Sequence, residues 1–217
     1  GLRLHLMPYL YTLMWQASTK HMPVLRPTFF HFGDDANCWN DNDEMMVGGD
    51  LLVAPVFEHG ARKRTLYLPR GAHAEGWYNF WSGEYFAGGQ TITVDAPLDR
   101  LPLFVRAGAL LPTTDTWGDA AKTEESSRAL RYYPAPSPDR AVETHANLFE
   151  DNGLQTTNAV DQCVVHHFHA TLTRDKLSVD ATQQGTWTLP YESIRVVLPA
   201  SEKRTLNLRS GGVRLIR

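Results

Sequence analysis

The sequence predicts a mainly β protein in which a short helix-strand-helix opening precedes two antiparallel β-sandwich domains. Three observations support this fold class. Apolar residues recur at helical spacing between Leu2 and Ser18. From Leu51 onward, short apolar or alternating runs are separated by Gly and Pro, which is typical of antiparallel sandwiches. A polar stretch at residues 113–127 divides these runs into two sets and indicates a linker or a long surface loop.

The opening begins with a predicted helix. Its apolar positions follow the i, i+3, i+4, i+7 pattern of a helix that buries one face. They are Leu2, Leu6, Tyr9, Leu10, Leu13, Met14 and Ala17. Pro8 falls inside this pattern, so we expect either a kink at Pro8 or a helix that starts near Met7 with Pro8 in its first turn.

A strand and a second helix are predicted next. Residues 24–32, VLRPTFFHF, have the composition of a strand, and a polar loop follows them. Asp41 or Asn42 is a suitable N-cap for a short helix over residues 43–47. Glu44 would lie in the first turn of that helix, where its charge matches the helix dipole.

Residues 45–56, MMVGGDLLVAPV, are predicted to join the opening to the first sandwich. Residues 51–57 are an apolar run that follows Gly48 and Gly49, which indicates a buried strand. Pro55 has no backbone N–H to donate to a sheet, so we expect this strand to lie at an edge or to carry a bulge.

The strands of both predicted sandwiches are short. The first set covers residues 64–68, 77–81, 90–94, 101–105 and 109–111. The second set covers residues 129–133, 143–149, 163–173, 176–181, 194–198 and 205–208. We expect a hairpin-type turn at residues 151–153 and another at residues 174–175.

An opening of about 47 residues has too little surface to bury a core of its own. It must either pack on the first sandwich or belong to a larger body. The end of a (β/α)₈ barrel, which takes about 250 residues, is the simplest such body.

Composition excludes several classes of partner. The chain has 217 residues and a formal net charge of -3 without a basic stripe, so we expect no nucleic acid partner. No apolar run approaches the roughly 20 residues of a membrane span. Cys38 and Cys163 give no disulfide framework, which favours a cytoplasmic location. We expect no cofactor.

Several long segments, in this order, resemble the C-terminal part of glycoside hydrolase family 31, the α-glucosidase and α-xylosidase family. They are MPYLYTL (residues 7–13), PVLRPTFF (23–30), GGDLLVAPV (48–56), YLPRG (67–71), WYNFWSGE (77–84), GGQTITVDAPLDRLPLFVRAGALLP (88–112) and FEDNG (149–153). The resemblance is strong up to residue 112 and faint beyond it.

The resemblance implies a domain organisation. Residues 1–47 would be the C-terminal remnant of a (β/α)₈ catalytic barrel, residues 48–115 a proximal β-sandwich and residues 116–217 a distal β-sandwich. We expect the first sandwich to pack on the catalytic domain and to bury the final helix of the barrel. Formation of a homo-oligomer stays open.

The resemblance also implies a function for the parent protein. A retaining α-glycosidase would hydrolyse an α-linked glucoside or xyloside bound in the barrel, with one Asp as the nucleophile and another as the acid/base. In the family both aspartates precede the PYLYTL helix, so we assign no catalytic, substrate-binding or metal-binding residue to this chain. We expect it to be inactive alone.

The densest carboxylate cluster lies in the loop after the first predicted strand. It consists of Asp34, Asp35, Asp41, Asp43 and Glu44. We interpret it as a solvated loop that caps neighbouring backbone rather than as a catalytic pair. A sharper hypothesis places His31 or Trp39 at the rim of the sugar pocket.

The rival function is a stand-alone carbohydrate-binding β-sandwich module, for which residues 77–81, WYNFW, would form a stacking platform. Alternation along a strand puts Trp77 and Trp81 on one face and Tyr78 and Phe80 on the other. One exposed face cannot hold all four rings, so we favour core packing for them.

Other polar groups have plainer interpretations. His167 and His169 would share a strand face at a spacing suited to Zn²⁺, next to His166, but no third ligand is visible in the sequence. Residues 150–153 resemble a calcium loop only in composition. Neither cysteine has the partners of a nucleophile. Asp99-Arg100 and Arg106 are interpreted as an ion pair that fixes the sandwich to its neighbour.

Overall fold

The computed structural model describes residues 1–40, 43–72, 74–114, 128–136, 141–153, 161–199, 202 and 204–217. The predicted helix caps Asp41 and Asn42 and residues 115–127 of the predicted linker lie outside the described residues. The described chain is mainly β, as predicted. None of its helices combines the length and the apolar character that crossing a membrane requires.

Helices are confined to the start of the chain. They are α1 (Leu2–His5) and α2 (Met7–Lys20), with 3₁₀ turns at Thr28–Phe30 and Ala36–Trp39. The strands are β1 (Leu25–Pro27), β2 (Met45–Val47), β3 (Leu51–Val53), β4 (Lys63–Leu68), β5 (Gly76–Asn79), β6 (Tyr85–Ala87), β7 (Gln90–Asp95), β8 (Leu103–Arg106), β9 (Leu110–Thr114), β10 (Arg128–Tyr132), β11 (Val142–Asp151), β12 (Cys163–Leu172), β13 (Lys176–Gly185), β14 (Ser193–Val197), β15 (Thr205–Ser210) and β16 (Arg214–Ile216).

The chain forms two compact units. The larger unit combines residues 1–22 with residues 109–217, and the smaller unit comprises residues 23–108. This grouping differs from the predicted ranges 1–47, 48–115 and 116–217. Thr113 and Thr114 were expected to begin the linker, but they are buried residues of β9, paired with β10.

In the larger unit, the sheet β16-β14-β10-β9 and the sheet β11-β12-β13-β15 share one apolar core. The expectation of a purely antiparallel second sandwich is wrong, because β10 and β14, β13 and β15, and β14 and β16 pair in parallel. From β13 onward successive strands alternate between the two sheets. A chain that crosses to the other sheet and back re-enters the first sheet in the same direction, so its strands there are parallel.

Helix α2 packs on the larger unit. It begins at Met7 with Pro8 in its first turn, which is the second of the two expected arrangements. The Trp15 ring stacks on Phe149 of β11 with 5.2 Å between ring centroids and an interplanar angle of 6°. The Phe149 N–H donates to Thr12 Oγ1 at 3.0 Å, so α2 also satisfies a backbone group of the strand.

In the smaller unit every described pairing is antiparallel. Strands β1-β2-β3-β8-β5-β6 form one sheet and β4-β7 another, with a common core that includes Trp77 and Phe104. The predicted buried run at residues 51–57 is a strand only as far as Val53, so β3 ends before Pro55.

The predicted helix at residues 43–47 does not form. Residues Met45–Val47 are strand β2, between β1 and β3, with Met46 fully buried. A five-residue helix is marginal in isolation, whereas two flanking strands offer hydrogen bonds on both edges of the segment. The opening is therefore helix, short strand, two 3₁₀ turns and strand, and the expected final helix of a barrel is absent from the described residues.

Candidate functional site

The smaller unit exposes an aromatic loop, which we define as residues 28–39. Phe29 and Trp39 are 40% and 62% exposed, and their rings stack with a centroid distance of 4.8 Å and an interplanar angle of 11°. Trp39 Nε1 donates to the Gly33 carbonyl at 2.8 Å, which fixes the indole over the loop. The stacked pair forms an exposed apolar surface.

Arg26 fixes the base of this loop. It is buried, and its Nε donates to the Pro23 carbonyl at 2.7 Å. Its Nη1 lies 2.9 Å from His31 Nε2, which must accept because a guanidinium only donates. The guanidinium also lies over the Phe30 ring, at 5.6 Å from the centroid. Half-buried His31 is thus held by Arg26 at the base of the loop, and its role at a sugar rim stays a hypothesis.

Asp35 organises the acidic part of the loop. It caps the 3₁₀ turn Ala36–Trp39 by accepting from the Asn37 N–H at 3.1 Å. It also accepts from Tyr67 Oη at 2.8 Å and from the Arg70 N–H at 3.1 Å. Partial burial acts to raise the pKa of Asp35, but these hydrogen bonds outweigh it and lower the pKa. Asp35 therefore has the capping role that we predicted for this loop.

The other residues of the predicted carboxylate cluster, of which only Asp34 lies within the aromatic loop, do not form a close carboxyl pair with Asp35 in any described contact. Asp34 is exposed. Asp43 and the buried Glu44 both face Arg64, with oxygen to Nη2 distances of 3.7 and 3.6 Å. Asp41 lies outside the described residues.

The aromatic run at residues 77–81 contributes to the core. Trp77 is fully buried and its Nε1 donates to the Pro69 carbonyl at 2.8 Å, which confirms the core interpretation for this residue. Tyr78, Phe80 and Trp81 are half-buried. Strand β5 ends at Asn79, so the expected alternation does not extend to Trp81.

Arg106 has a different partner from the one expected. It donates from Nε and Nη2 to Asp50 Oδ1 at 3.2 and 2.7 Å, which ties β8 to the turn before β3. No described contact joins Arg106 to Asp99. Sequence reasoning missed Asp50 because the two residues are 56 positions apart and only the pairing of β3 with β8 brings them together.

The three histidines of β12 have separate environments. His166 is fully buried on the inner face. His167 Nδ1 lies 2.7 Å from Asn147 Oδ1. His169 stacks on His145 of β11 at 4.7 Å between ring centroids. His167 and His169 share a face as predicted, but the nearest partners of His169 come from β11, which the sequence did not reveal.

Residues 150–153 have structural partners. Arg128 Nε donates to Glu150 Oε1 at 2.6 Å, and the Tyr191 hydroxyl donates to the same oxygen at 3.0 Å. Asp151 Oδ1 accepts from the Gly153 N–H at 2.8 Å. These contacts engage the carboxylates in an ion pair and a turn, in agreement with a turn rather than a calcium loop.

Cys38 and Cys163 are both buried, and no disulfide joins them. Burial raises the pKa of Cys38 to about 11 and also raises the pKa of Cys163. A thiol with a raised pKa supplies little thiolate at neutral pH. The raised pKa of each thiol and its burial favour a packing role for both cysteines.

Comparisons with known proteins agree on one family. Residues 21–111 match the glycosyl hydrolase family 31 C-terminal domain. The chain is 35% identical over 134 residues to alpha-glucosidase 2 of Bacillus thermoamyloliquefaciens, covering 62% of this chain and 16% of that protein. It is 33% identical over 153 residues to an alpha-xylosidase of Saccharolobus solfataricus, covering 70% and 20%. The chain thus spans about a fifth or less of these relatives.

Solved structures extend the similarity to nearly the whole chain. A GH31 dextranase of Flavobacterium johnsoniae superposes with a TM-score of 0.79 and 25% identity over 93% of this chain and 24% of its own. A GH31 alpha-xylosidase of Xanthomonas citri superposes with a TM-score of 0.72 and 29% identity over 98% of this chain and 21% of its own. Residues 21–111 thus form the C-terminal domain of glycosyl hydrolase family 31, and the solved structures that superpose on nearly the whole chain are GH31 enzymes.

Proposed function

We propose that this chain is the C-terminal scaffold portion of a retaining α-glycosidase that hydrolyses α-linked glucosides or xylosides. One observation carries the proposal: GH31 enzymes superpose on 93% and 98% of this chain, yet the chain covers only 24% and 21% of them. The remainder of such an enzyme would include the catalytic barrel. The proposed ranges are 1–47 for the barrel remnant, 48–115 for the proximal sandwich and 116–217 for the distal sandwich. Within the chain itself, residues 1–22 group with the larger unit, and β1 and β2 belong to a sheet of the smaller unit.

The state of the carboxylates supports a scaffold role. A retaining glycosidase needs two carboxyl groups about 5–5.5 Å apart, one of them an acid with a raised pKa. Hydrogen bonds lower the pKa of Asp35, which is unsuitable for protonating a leaving group. Asp50 and Glu150 are engaged by Arg106 and Arg128. We therefore infer that the catalytic aspartates lie in preceding segments and that this chain alone is inactive.

Exposed apolar side chains support packing on the catalytic domain. Large apolar residues that are more than one third exposed are frequent in the smaller unit. They are Leu25, Phe29, Phe30, Trp39, Phe57, Leu98 and Leu101. Contiguous exposed apolar surface usually marks an interface. We propose that the barrel of the same protein covers the aromatic loop, where burial would contribute roughly 25 cal/mol per Å².

An activity comparison tests the main proposal. The 217-residue chain and the longer protein that contains it are assayed on 4-nitrophenyl α-glucoside and α-xyloside. We expect turnover only in the longer protein, with the α-anomer of the sugar released first in an NMR time course. Turnover by the 217-residue chain above the no-enzyme blank would contradict its role as an inactive scaffold.

The second candidate, a carbohydrate-binding module, is favoured by the exposed stacked pair of Phe29 and Trp39. Flat aromatic surfaces suit the apolar faces of sugar rings. Titration of the chain with α-linked oligosaccharides, followed by tryptophan fluorescence, separates the two candidates. Saturable binding that Trp39→Ala abolishes favours the module. An unchanged signal up to millimolar sugar favours the scaffold.

We further propose a cytoplasmic location, without nucleic acid or membrane partners. The support is the modest net charge of -3 and the lack of a disulfide between the buried Cys38 and Cys163. Homo-oligomer formation is the open alternative. Light scattering of the longer protein decides it, because a dimer doubles the measured mass.

A further inference from the structure

Three potential metal ligands meet on the outer face of the sheet β11-β12-β13-β15. His145 of β11 pairs directly with His169 of β12, and Glu143 lies two residues before His145 on the same face. Glu143 Oε2 is 3.9 Å from His169 Nε2, and the ligand atoms of all three residues lie within 4.8 Å of one another. The pairing of two strands thus builds a His-His-Glu cluster.

The cluster contains a nitrogen that its protein neighbours leave unsatisfied. His169 Nε2 is shielded from solvent and has no hydrogen-bond partner among the described residues. Its 3.9 Å distance to Glu143 is too long for a hydrogen bond. Shielded polar atoms in folded proteins nearly always have a partner. His167, on the same face, has one, because its Nδ1 lies 2.7 Å from Asn147 Oδ1.

We propose that Glu143, His145 and His169 bind a divalent transition-metal ion, with Zn²⁺ as the best match. Two imidazole nitrogens and one carboxylate oxygen form a common Zn²⁺ ligand set, with water in the fourth position. Ca²⁺ and Mg²⁺ prefer all-oxygen sites, so the two imidazole donors suit them less well. The site goes beyond the proposed glycosidase function and does not depend on it.

The observed spacing suits this ion after a small adjustment. Two ligands of a tetrahedral Zn²⁺ lie about 3.4 Å apart, given bonds of about 2.0–2.1 Å. The present separations reach 4.8 Å. Glu143 and His145 are exposed, so their side chains can rotate toward the half-buried His169 without repacking the core.

The surrounding charge favours a cation. Asp180 of β13 lies directly opposite His169, on the side away from β11, so carboxylates flank this histidine on both neighbouring strands. Arg209 is the cation that faces Asp180 from β15, at 3.9 Å. Because the ligands come from two strands, the ion would bind the folded chain and stabilise it.

Zn²⁺ titration of the untagged, EDTA-stripped 217-residue chain tests the proposal. Isothermal titration calorimetry is expected to show one Zn²⁺ per chain, with a rise in Tm on binding. His145→Gln and Glu143→Gln should each weaken binding by at least about tenfold and reduce the rise in Tm. His59→Gln, an exposed histidine of the smaller unit, is the matched control and should bind like the wild type.

Absence of saturable Zn²⁺ binding would overturn the site, as would wild-type affinity in both cluster variants. Circular dichroism checks that each variant is folded, which we expect because both side chains are exposed. Co²⁺ provides an independent readout. Tetrahedral His-His-Glu coordination gives a visible absorption band that His145→Gln should remove and His59→Gln should retain.

Discussion

His166 and His167 are sequence neighbours in opposite environments. His167 is half-buried on the outer face of the sheet, whereas His166 is fully buried against the core, next to Phe168. Neither ring nitrogen of His166 has a hydrogen-bond partner among the described residues. Burial, with a smaller contribution from the charge of His167, lowers the pKa of His166 to about 4. His166 is therefore neutral in the folded protein at neutral pH.

His166 predicts a loss of stability in acid. In the unfolded chain this histidine takes up a proton as the pH falls below its ordinary pKa of 6.5, whereas the folded chain resists protonation down to a pH of about 4. Acid therefore favours the unfolded state throughout this window, by about 2 kcal/mol at pH 5. We expect His166→Leu to remove this part of the pH dependence in urea unfolding at pH 7.5 and pH 5.

The control is His167→Gln, on the outer face of the same strand, which should keep most of the acid-dependent loss. Leu148 and Gln183, which pair with His166 from the neighbouring strands, carry no charge. If wild type and His166→Leu lose the same free energy of unfolding between pH 7.5 and pH 5, His166 is not the group responsible.

Single residues also show what a sequence can and cannot predict. Burial of Trp77 followed from its place in an aromatic, β-prone run that one exposed face could not hold. The Asp50–Arg106 pair could not be predicted, because any of several nearby carboxylates was an equally good partner before strand pairing was known. Local pattern thus predicts burial, whereas long-range ion pairs depend on topology.

At the scale of elements, the positions of strands along the chain were predicted better than the register in which the strands pair. Both β11 and β12 were expected close to their observed bounds. The expected tight hairpin at residues 151–153 is not the connection, because Asp151 pairs with Cys163 and residues 152–162 lie between the two strands. The register of β11 against β12 depends on the length of the connecting loop. The pairing of His145 with His169 therefore could not be predicted from the sequence.

At residues 43–47 the sequence predicted the wrong type of element, a helix where the structure has strand β2. Its capping and charge signals favour a helix, and they are local. Strands β1 and β3 are contributed by residues on either side, and together they hold Met45–Val47 as a central strand. Tertiary pairing overrides weak local preference in a segment this short.

The link between the two sheets of the larger unit predicts a large mutational effect. Arg128 of β10 and Glu150 of β11 belong to different sheets, and both are largely buried. Tyr191, whose pKa burial raises above its ordinary range, donates to Glu150 as a neutral hydroxyl. Glu150→Ala removes the counter-charge of the guanidinium and should lower the free energy of unfolding by about 3–5 kcal/mol.

An exposed pair in the same unit is the comparison for Glu150→Ala. Asp180 and Arg209 are 3.9 Å apart, with side chains 36% and 76% exposed. Exposed pairs contribute at most about 1 kcal/mol, so metal-free Asp180→Ala should change stability little. If the two substitutions lower the free energy of unfolding equally in urea, the Arg128–Glu150 pair contributes no more to stability than an exposed pair.

At the scale of the whole molecule, the first 22 residues and the last 109 residues form one compact unit. Helix α2 buries Tyr9 and Leu13 and covers one end of the outer face of β11 and β12, at Phe149 and Val165. Without α2 that apolar end would face water, and the Phe149 N–H would lose its acceptor, Thr12 Oγ1. The helix therefore contributes to the larger unit although the rest of that unit follows much later in the chain.

A chain that starts at Pro23 should consequently lose stability in one unit only. Burial of two side chains such as Tyr9 and Leu13 contributes about 3–6 kcal/mol, so we expect faster amide exchange throughout β11 and β12. Exchange in residues 23–108 serves as the internal reference and should not change. Leu13→Ala tests the same contact without a deletion and should cost about 2–5 kcal/mol, against little effect from the 64% exposed Met14→Ala. Unchanged exchange in β11 and β12 after the deletion would mean that α2 adds no stability to the larger unit.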